Sequence, residues 1–438
     1  MADFDSRTDV ISSNGAGAVT TVSPGEARDD HDGYVLRSLT EPDEEALVDA
    51  VLTDAFGIEG LVGGPPEYSI FEPERNVLVE YQGEPVANVA ALTRQLAVPG
   101  GLIPAAHLTR GAVRQAHRRR RLMSRLMHHH LRAARDLHGE PVAVWWASEA
   151  RIYQRYQCGM ASQNVRLAIN NREVRVVDPP AGVTLREAAP GQLVEPLKAV
   201  YERVLPGRPG WSSRTEAVWR QLVDDPPPPL RQGWSAKRAL LVEGDSGPAG
   251  YAIWQRRQQW TGDIRDGEVN VVELVAATPQ AYAALWHFLL SVDLTRTVHW
   301  DFVADDEPLR LIVNEPRSLN PTISDGLWLR VLDVPAALTA RRYAADVDTV
   351  LKVGDALLAE NNGHWRLTVA QGRATCTRTE EPADLDCDVS VLGATYLGGT
   401  SWGSLCAAGR VTVRHPEALA AADAAFGWPV SPSTLGLF

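Results

Sequence analysis

Two stretches of this 438-residue chain combine residue types that can do chemistry. The first, His117 to Leu131, reads HRRRRLMSRLMHHHL. Leu122, Met123, Leu126, Met127, Leu131 and Ala134 recur at helical spacing and define one apolar face. Arg118 to Arg121 are then expected in the first turn, where unpaired backbone N–H groups and the positive dipole end favour an anion. Four arginines there oppose the dipole, and a bound phosphate would resolve the conflict. A solvated basic helix start or a nucleic-acid contact would use the same residues. His128-His129-His130 suggests a metal, but consecutive helical positions point about 100° apart. No metal site is expected, and the run reads as solvated or as a subunit contact.

The second stretch is Ala147-Ser148-Glu149-Ala150-Arg151-Ile152-Tyr153-Gln154-Arg155-Tyr156. It follows Val142-Ala143-Val144-Trp145-Trp146, a short apolar strand, and opens a short helix over residues 149–157. That arrangement places side chains at the carboxyl end of a sheet. Tyr153 there can donate a proton to a leaving group or simply pack. Glu149 can act as a base or only as an acid favouring the helix start.

Composition bounds the rest. The chain is 45% hydrophobic and 22% charged, with no apolar stretch long enough to span a membrane. Four cysteines, none in a C-x-x-C pair, argue against a disulfide scaffold or zinc finger and for a reduced, cytoplasmic protein. The net charge of −12 is unevenly spread. Residues 1–32 carry seven acids and two arginines and read as a disordered tail, whereas residues 110–135 hold nine arginines and no acid. One basic segment in an acidic protein suggests a local anion site rather than a general polyanion surface, and no nucleic-acid partner is expected.

The elements that must position these residues follow a layered α/β order. Tyr34 to Leu39 reads as a strand, and Pro42 opens a helix through Ala55. Residues 76–80 and 86–91 flank Gln82-Gly83 as a hairpin. A strand near 107–113 and a helix over about 117–138 precede the apolar strand. After Asp178-Pro179-Pro180 the pattern restarts. Leu36-Arg37 and Ala50-Val51 recur as Leu185-Arg186 and Ala199-Val200, an offset of 149. Leu78-Val79-Glu80 and Pro85 recur as Leu241-Val242-Glu243 and Pro248, an offset of 163. An insertion of 14 residues in a duplicated unit reconciles the two. The second copy lacks the arginines; its equivalent, from Val271 to Tyr282, reads VVELVAATPQAY. From Gly326 a third, α+β domain begins and ends on apolar Leu435, Leu437 and Phe438.

A strand, R-R-R-R-L-M at a helix start, then a strand and A-S-E-x-x-I-Y-x-R-Y resemble the acetyl-CoA site of GNAT acetyltransferases. More narrowly, the order resembles the enhanced intracellular survival (Eis) family. The duplicated unit fits, as does a third domain opening DGLWLR at Asp325 and continuing Val334-Pro335-Ala336-Ala337-Leu338. The resemblance covers about 34–438. It implies tandem GNAT domains, α/β in class, and a sterol-carrier-protein-like α+β domain. The expected boundaries are 1–32 for the tail, 33–178 for a catalytic GNAT domain, 179–325 for a GNAT-like domain without a cofactor site, and 326–438.

The resemblance also implies roles. Gly111, Val113 and their neighbours would meet the pantetheine arm of acetyl-CoA, the cosubstrate. Arg118, Arg119, Arg121 and the N–H groups through Leu122 would hold its pyrophosphate, and Ser148 would lie beside the cofactor. Tyr153 would be the general acid, and the terminal carboxylate, here of Phe438, the base. A terminal carboxylate titrates near about 3.5 when free, so a base near neutral pH needs a desolvated site. Family members act on small-molecule amines, including aminoglycosides, and assemble as hexamers, so a homo-oligomer is expected.

The sequence departs from the family pattern Q/R-x-x-G-x-G/A, placing Arg121 at the first glycine. That side chain either swings out and adds charge or crowds the pyrophosphate. The penultimate Leu437 stands where a polycation site would favour an acid. The expected activity is acetyl transfer to an aminoglycoside-like, polyamine or specialised amine in a ternary complex. The alternatives are a ligand-binding protein with a degenerate CoA cleft and a biosynthetic enzyme with another acyl donor. Pocket walls are expected from the loop around 53–72.

Overall fold

The computed structural model describes residues 27–30, 33–57, 69–245, 247–262 and 264–438. Most of the expected disordered tail and the centre of the 53–72 loop lie outside these residues. Of the tail, Ala27–Asp30 (β1) is described, and it forms a strand along the edge of β2 (Tyr34–Ser38).

The first unit continues with α1 (Glu45–Phe56), β3 (Asn76–Tyr81), β4 (Glu84–Val98), β5 (Gly101–Val113), α2 (Leu122–Asp136), β6 (Val142–Trp146), α3 (Ala150–Gln154) and β7 (Gly159–Met160). The long β4–β5 hairpin turns at Gly100, whose φ of 90° suits glycine and where a side chain would strike Arg342. Residue alternation on these strands builds two cores. Ala106, Leu108, Ala143 and Trp145 face α2, whereas Ala105, Val142 and Val144 face the third domain.

β5 and β6 are paired in parallel only from Ala105↔Val142 to His107↔Val144. Beyond that point they part. A bulge opposite Val89, with Arg110 at φ 53°, adds twist to β5 where it leaves its neighbour.

Two local expectations change here. α2 starts at Leu122, so Arg118 to Arg121 form the turn before it rather than its first turn. Arg119 and Arg121 have φ of 63° and 61°, which no α-helical residue adopts. The histidine run is not solvated. His129 and His130 are buried, and the His130 Nε2 lies 2.9 Å from the Val89 carbonyl oxygen. Burial holds His129 down to about 4 and His130 well below the usual range.

The second unit contains β8 (Gln163–Asn170), β9 (Thr184–Ala188), α4 (Val194–Val204), α5 (Glu216–Val223), β10 (Arg238–Gly244), β11 (Gly247–Arg257), the short pair β12 (Trp260–Thr261) and β13 (Ile264–Arg265), β14 (Gly267–Ala276), α6 (Pro279–Leu290), β15 (Thr295–Val303), α7 (Leu309–Ile312) and β16 (Thr322–Asp325). Its sheet runs β16-β8-β15-β14-β11-β10-β9. β9, α4, β10, β11, β14, α6 and β15 repeat β2, α1, β3, β4, β5, α2 and β6 in order, which is the duplication read from the sequence. The insertion resolves into α5 and the 3-10 turn Pro228–Arg231 after it.

The expected boundaries at 178 and 325 do not separate the sheets. β8, assigned to the first unit, pairs with β15 and β16 in the second sheet. β17 (Leu327–Val331), assigned to the third domain, lies between β6 and β7, giving the order β1-β2-β3-β4-β5-β6-β17-β7. Every residue of β17 is buried, and a strand apolar on both faces is stable only with both faces covered. The first sheet supplies that place between two cores.

The third domain adds α8 (Val334–Ala340), β18 (Val347–Gly354), β19 (Gly363–Ala370), β20 (Arg373–Thr379), β21 (Leu385–Asp388), α9 (Val389–Thr395), α10 (Trp402–Ala407), β22 (Val411–Val413) and α11 (Pro416–Phe426). Its sheet order is β20-β19-β18-β21-β22. Arg330 of β17 is fully buried and paired with both oxygens of Asp355, at 2.6 and 2.7 Å. Removing one partner of such a pair leaves a bare buried charge, at a cost of about 3–5 kcal/mol. After α11 the chain returns across the second unit to end against the first.

Candidate active site

The opening between β5 and β6 gathers most of the residues singled out in the sequence. On one arm, Val113 pairs with Ala87, and its carbonyl accepts from Arg118 Nε at 3.2 Å. Gly111 is exposed on the same arm, with Met123 and Val89 beyond its Cα. Arg118, Arg119 and Arg121 are exposed in the turn that follows, and Leu122 is buried as the first residue of α2. Arg121 therefore holds the left-handed conformation a glycine would take while its side chain points to solvent.

On the other arm, Ser148 follows β6, and Tyr153 sits on α3. The Tyr153 ring is half-buried against Trp145, at 5.6 Å between centroids, and Trp328, at 6.4 Å. Burial raises its phenol above the ordinary value, while hydrogen bonds from Ser148 pull the other way. The net rise keeps Tyr153 protonated at neutral pH, as a proton donor must be. Glu149 is exposed and lies 2.7 Å from the Arg151 guanidinium on the same short helix.

The last residue of the chain reaches the same opening. Thr109 Oγ1 donates to the terminal carboxylate of Phe438 at 2.8 Å, two residues past the last β5–β6 pair. The Phe438 ring packs edge-on against His107, 4.6 Å between centroids. His107 is fully buried; its Nδ1–H donates to the Ala105 carbonyl at 3.0 Å, and Ser212 donates to its Nε2 at 2.6 Å. Burial pushes His107 down to about 3, so it is a neutral support. Along β5, His107 and Thr109 share the face of Ala105, opposite Leu108 and α2. Tyr153 packs with the α2-side core, so Tyr153 and Phe438 approach the opening from opposite faces of the sheet.

Thr109, His107 and Ser212 carried no sequence signal, because each lies in an ordinary strand or loop and acts only through a distant partner. The tail itself is partly as expected. Ser433 and Thr434 are buried and Leu435 is half-buried, but Leu437 is 69% exposed, so it does not help anchor the end.

Beside Phe438 lies a cavity of about 270 Å³ between the first two units and the tail, with Arg94, His107, Tyr201, Trp211 and Arg214 in its walls. Arg214 is paired with buried Glu273 and stacks over Tyr201, 3.9 Å from the ring centre. Arg94 is held by Glu72 at 2.8 Å.

Two such units, each with a strand pair that opens beside a helix start, define an acyltransferase of the GNAT class. Residues 36–161 and 210–331 each match the acetyltransferase (GNAT) domain, and residues 334–434 match the sterol carrier protein domain. The chain is 38% identical over 350 residues to an uncharacterized N-acetyltransferase of Streptomyces avermitilis, covering 79% of this chain and 85% of that one. It is 33% identical over 350 residues to the N-acetyltransferase Eis of Mycobacterium tuberculosis, covering 78% and 82%. Its fold is similar to that of Eis1 from Mycobacterium abscessus, with a TM-score of 0.77 and 30% identity over 92% of this chain and 100% of that one. The chain belongs to the Eis family of GNAT N-acetyltransferases. No helix among the described residues is long and apolar enough to cross a membrane.

Proposed function

We propose that the protein transfers an acetyl group from acetyl-CoA to a small-molecule amine within a ternary complex. The observation that carries this reading is the Thr109–Phe438 hydrogen bond at the β5–β6 opening, with Tyr153 on the opposite face. Acetyl-CoA supplies an activated thioester. The residues present suit it: Arg118, Arg119 and Arg121 flank a turn whose positive-φ residues keep the backbone open despite Arg121, and the Leu122 N–H lies at the start of α2. Gly111 and Val113 border the unpaired arm of β5 that would meet the pantetheine.

The Phe438 carboxylate, oriented by Thr109 and flanked by neutral His107, takes a proton from the acceptor ammonium directly or through one water. Backbone N–H groups on the free edge of β5 near Val113 polarise the acetyl carbonyl. Tyr153, oriented by Ser148, returns a proton to the leaving thiolate. Appending a residue after Phe438 moves the carboxylate by up to about 3.5 Å, beyond reach of Thr109, and tests the assignment through kcat.

The acceptor cavity narrows the substrate. Among the described residues Arg94 and Arg214 are cancelled by Glu72 and Glu273, leaving the Phe438 carboxylate as the unmatched charge. This favours an acceptor with one cationic amine and an apolar body over a polycation. Acceptor screens by thiol release with monoamines and aminoglycosides test that preference. A homo-oligomer, hexameric by resemblance, belongs to the same reading; Leu230, Leu311 and Ile323 expose apolar surface on the second unit, and sedimentation measures the assembly.

A further inference from the structure

We infer that the second unit has its own ligand site where its strands part, and that the site takes an organic ammonium with an apolar or aromatic body. β14 and β15 are paired in parallel only from Gly267↔Thr295 to Val271↔Trp300. Past Trp300 they diverge around a cavity of about 360 Å³. Four aromatic rings line it, from Trp211, Tyr282, Trp300 and Phe302. Phe302 sits at φ 62° in a bulge of β15, an unusual conformation for a bulky residue.

Two polar atoms in these walls lack a partner among the described residues: Glu307 Oε1 and the Tyr282 hydroxyl. Glu307 is only 7% exposed, and its carboxyl also accepts the Leu309 N–H. An unpaired buried carboxyl oxygen is costly, and a ligand N–H would satisfy it. Arg208, the one cation in the described wall, is already held by Asp306 at 2.8 Å and the Ser431 carbonyl at 3.0 Å. The wall therefore presents an acceptor and ring faces with no free cation, the complement of an ammonium.

The same features disfavour a nucleotide. α6 begins with Pro279, which has no N–H, and the Thr278 hydroxyl already caps the Ala281 N–H at 3.1 Å. No arginine turn precedes it. Ser433 and Leu435 also line this cavity, so its occupant lies against the tail that carries Phe438.

The test is calorimetric titration of the full chain at pH 8 with N,N-dimethyl-2-phenylethylamine, without acetyl-CoA. This tertiary ammonium keeps one N–H and cannot form an amide, so binding is read apart from turnover. We expect saturable binding that weakens by at least about tenfold in Glu307→Gln and severalfold in Tyr282→Phe, both checked for native circular dichroism. Binding should persist in a chain lacking Leu437 and Phe438. Equal affinity in Glu307→Gln and the parent, or no saturable heat up to about 10 mM, overturns the inference. Loss of binding in the truncated chain alone overturns it too, because the ammonium then occupies the acceptor cavity.

Discussion

The two strand openings are copies of one backbone design with different linings. In the first, the strands part over an arginine-rich turn, and the chain terminus is brought in by Thr109. In the second, the turn is Thr278-Pro279, and the opening is walled by aromatic rings and a buried carboxyl. The backbone plan is shared down to a bulge in the strand before the opening, at Arg110 in one copy and near Val272 in the other. What differs is which groups are left free to act. An acyl-transfer site needs an anion cradle, a base and an acid around one gap; the second copy lacks the cradle and keeps the gap.

Substitutions can break this comparison. The largest effect is expected from Tyr153→Phe, which should lower kcat by about 10²–10⁴-fold with CoA affinity kept, whereas Tyr282→Phe in the second opening should leave kcat within about twofold. Steady-state kinetics with calorimetry of CoA reads both. Next, Arg118→Ala should raise the KM for acetyl-CoA by about tenfold or more through the loss of a charge-assisted contact. Thr109→Val should lower kcat by about five- to tenfold, with recovery in Thr109→Ser, since the hydroxyl only positions the carboxylate.

The two copies should also answer pH in opposite senses. His107, His129 and His130 are held below their usual value of 6.5, so the unfolded chain takes up more protons as pH falls below it. Their stabilising contribution is present above pH 6.5 and is lost as the medium is acidified toward 4. Glu307, raised from 4.5 to about 7, keeps its proton when folded and costs stability as pH rises through that window. Stability to urea should therefore fall between pH 6.5 and 5, and Glu307→Gln should steepen the fall by about one proton, near 1.4 kcal/mol per pH unit. The smallest effect is expected for Arg121→Gly. Relief of a left-handed arginine and the added entropy of unfolded glycine oppose each other, so stability should change by under about 1 kcal/mol.

Local order was legible in the sequence where one element declares itself. The 76–91 hairpin, the apolar face of α2, the strand before Ser148 and the repeated element order all follow from spacing alone. Which sheet a strand joins was not. The alternating residues of β17 do not announce its partner: its pairing with β6 depends on Ser162, 165 positions away, and on the third-domain core that follows it. The residue types of the histidine run suggest solvent or a subunit contact, whereas the helical register turns His129 and His130 to the buried face of α2. Likewise, Phe438 was suggested only by resemblance, and its anchor Thr109 emerged from a contact spanning 329 positions.

The most direct test appends a single glycine after Phe438 and measures kcat beside CoA affinity. With the carboxylate displaced from Thr109, we expect kcat to fall by about 10²-fold or more while CoA binds as before. Unchanged kcat in the extended chain would contradict the assignment of the terminal carboxylate as the base.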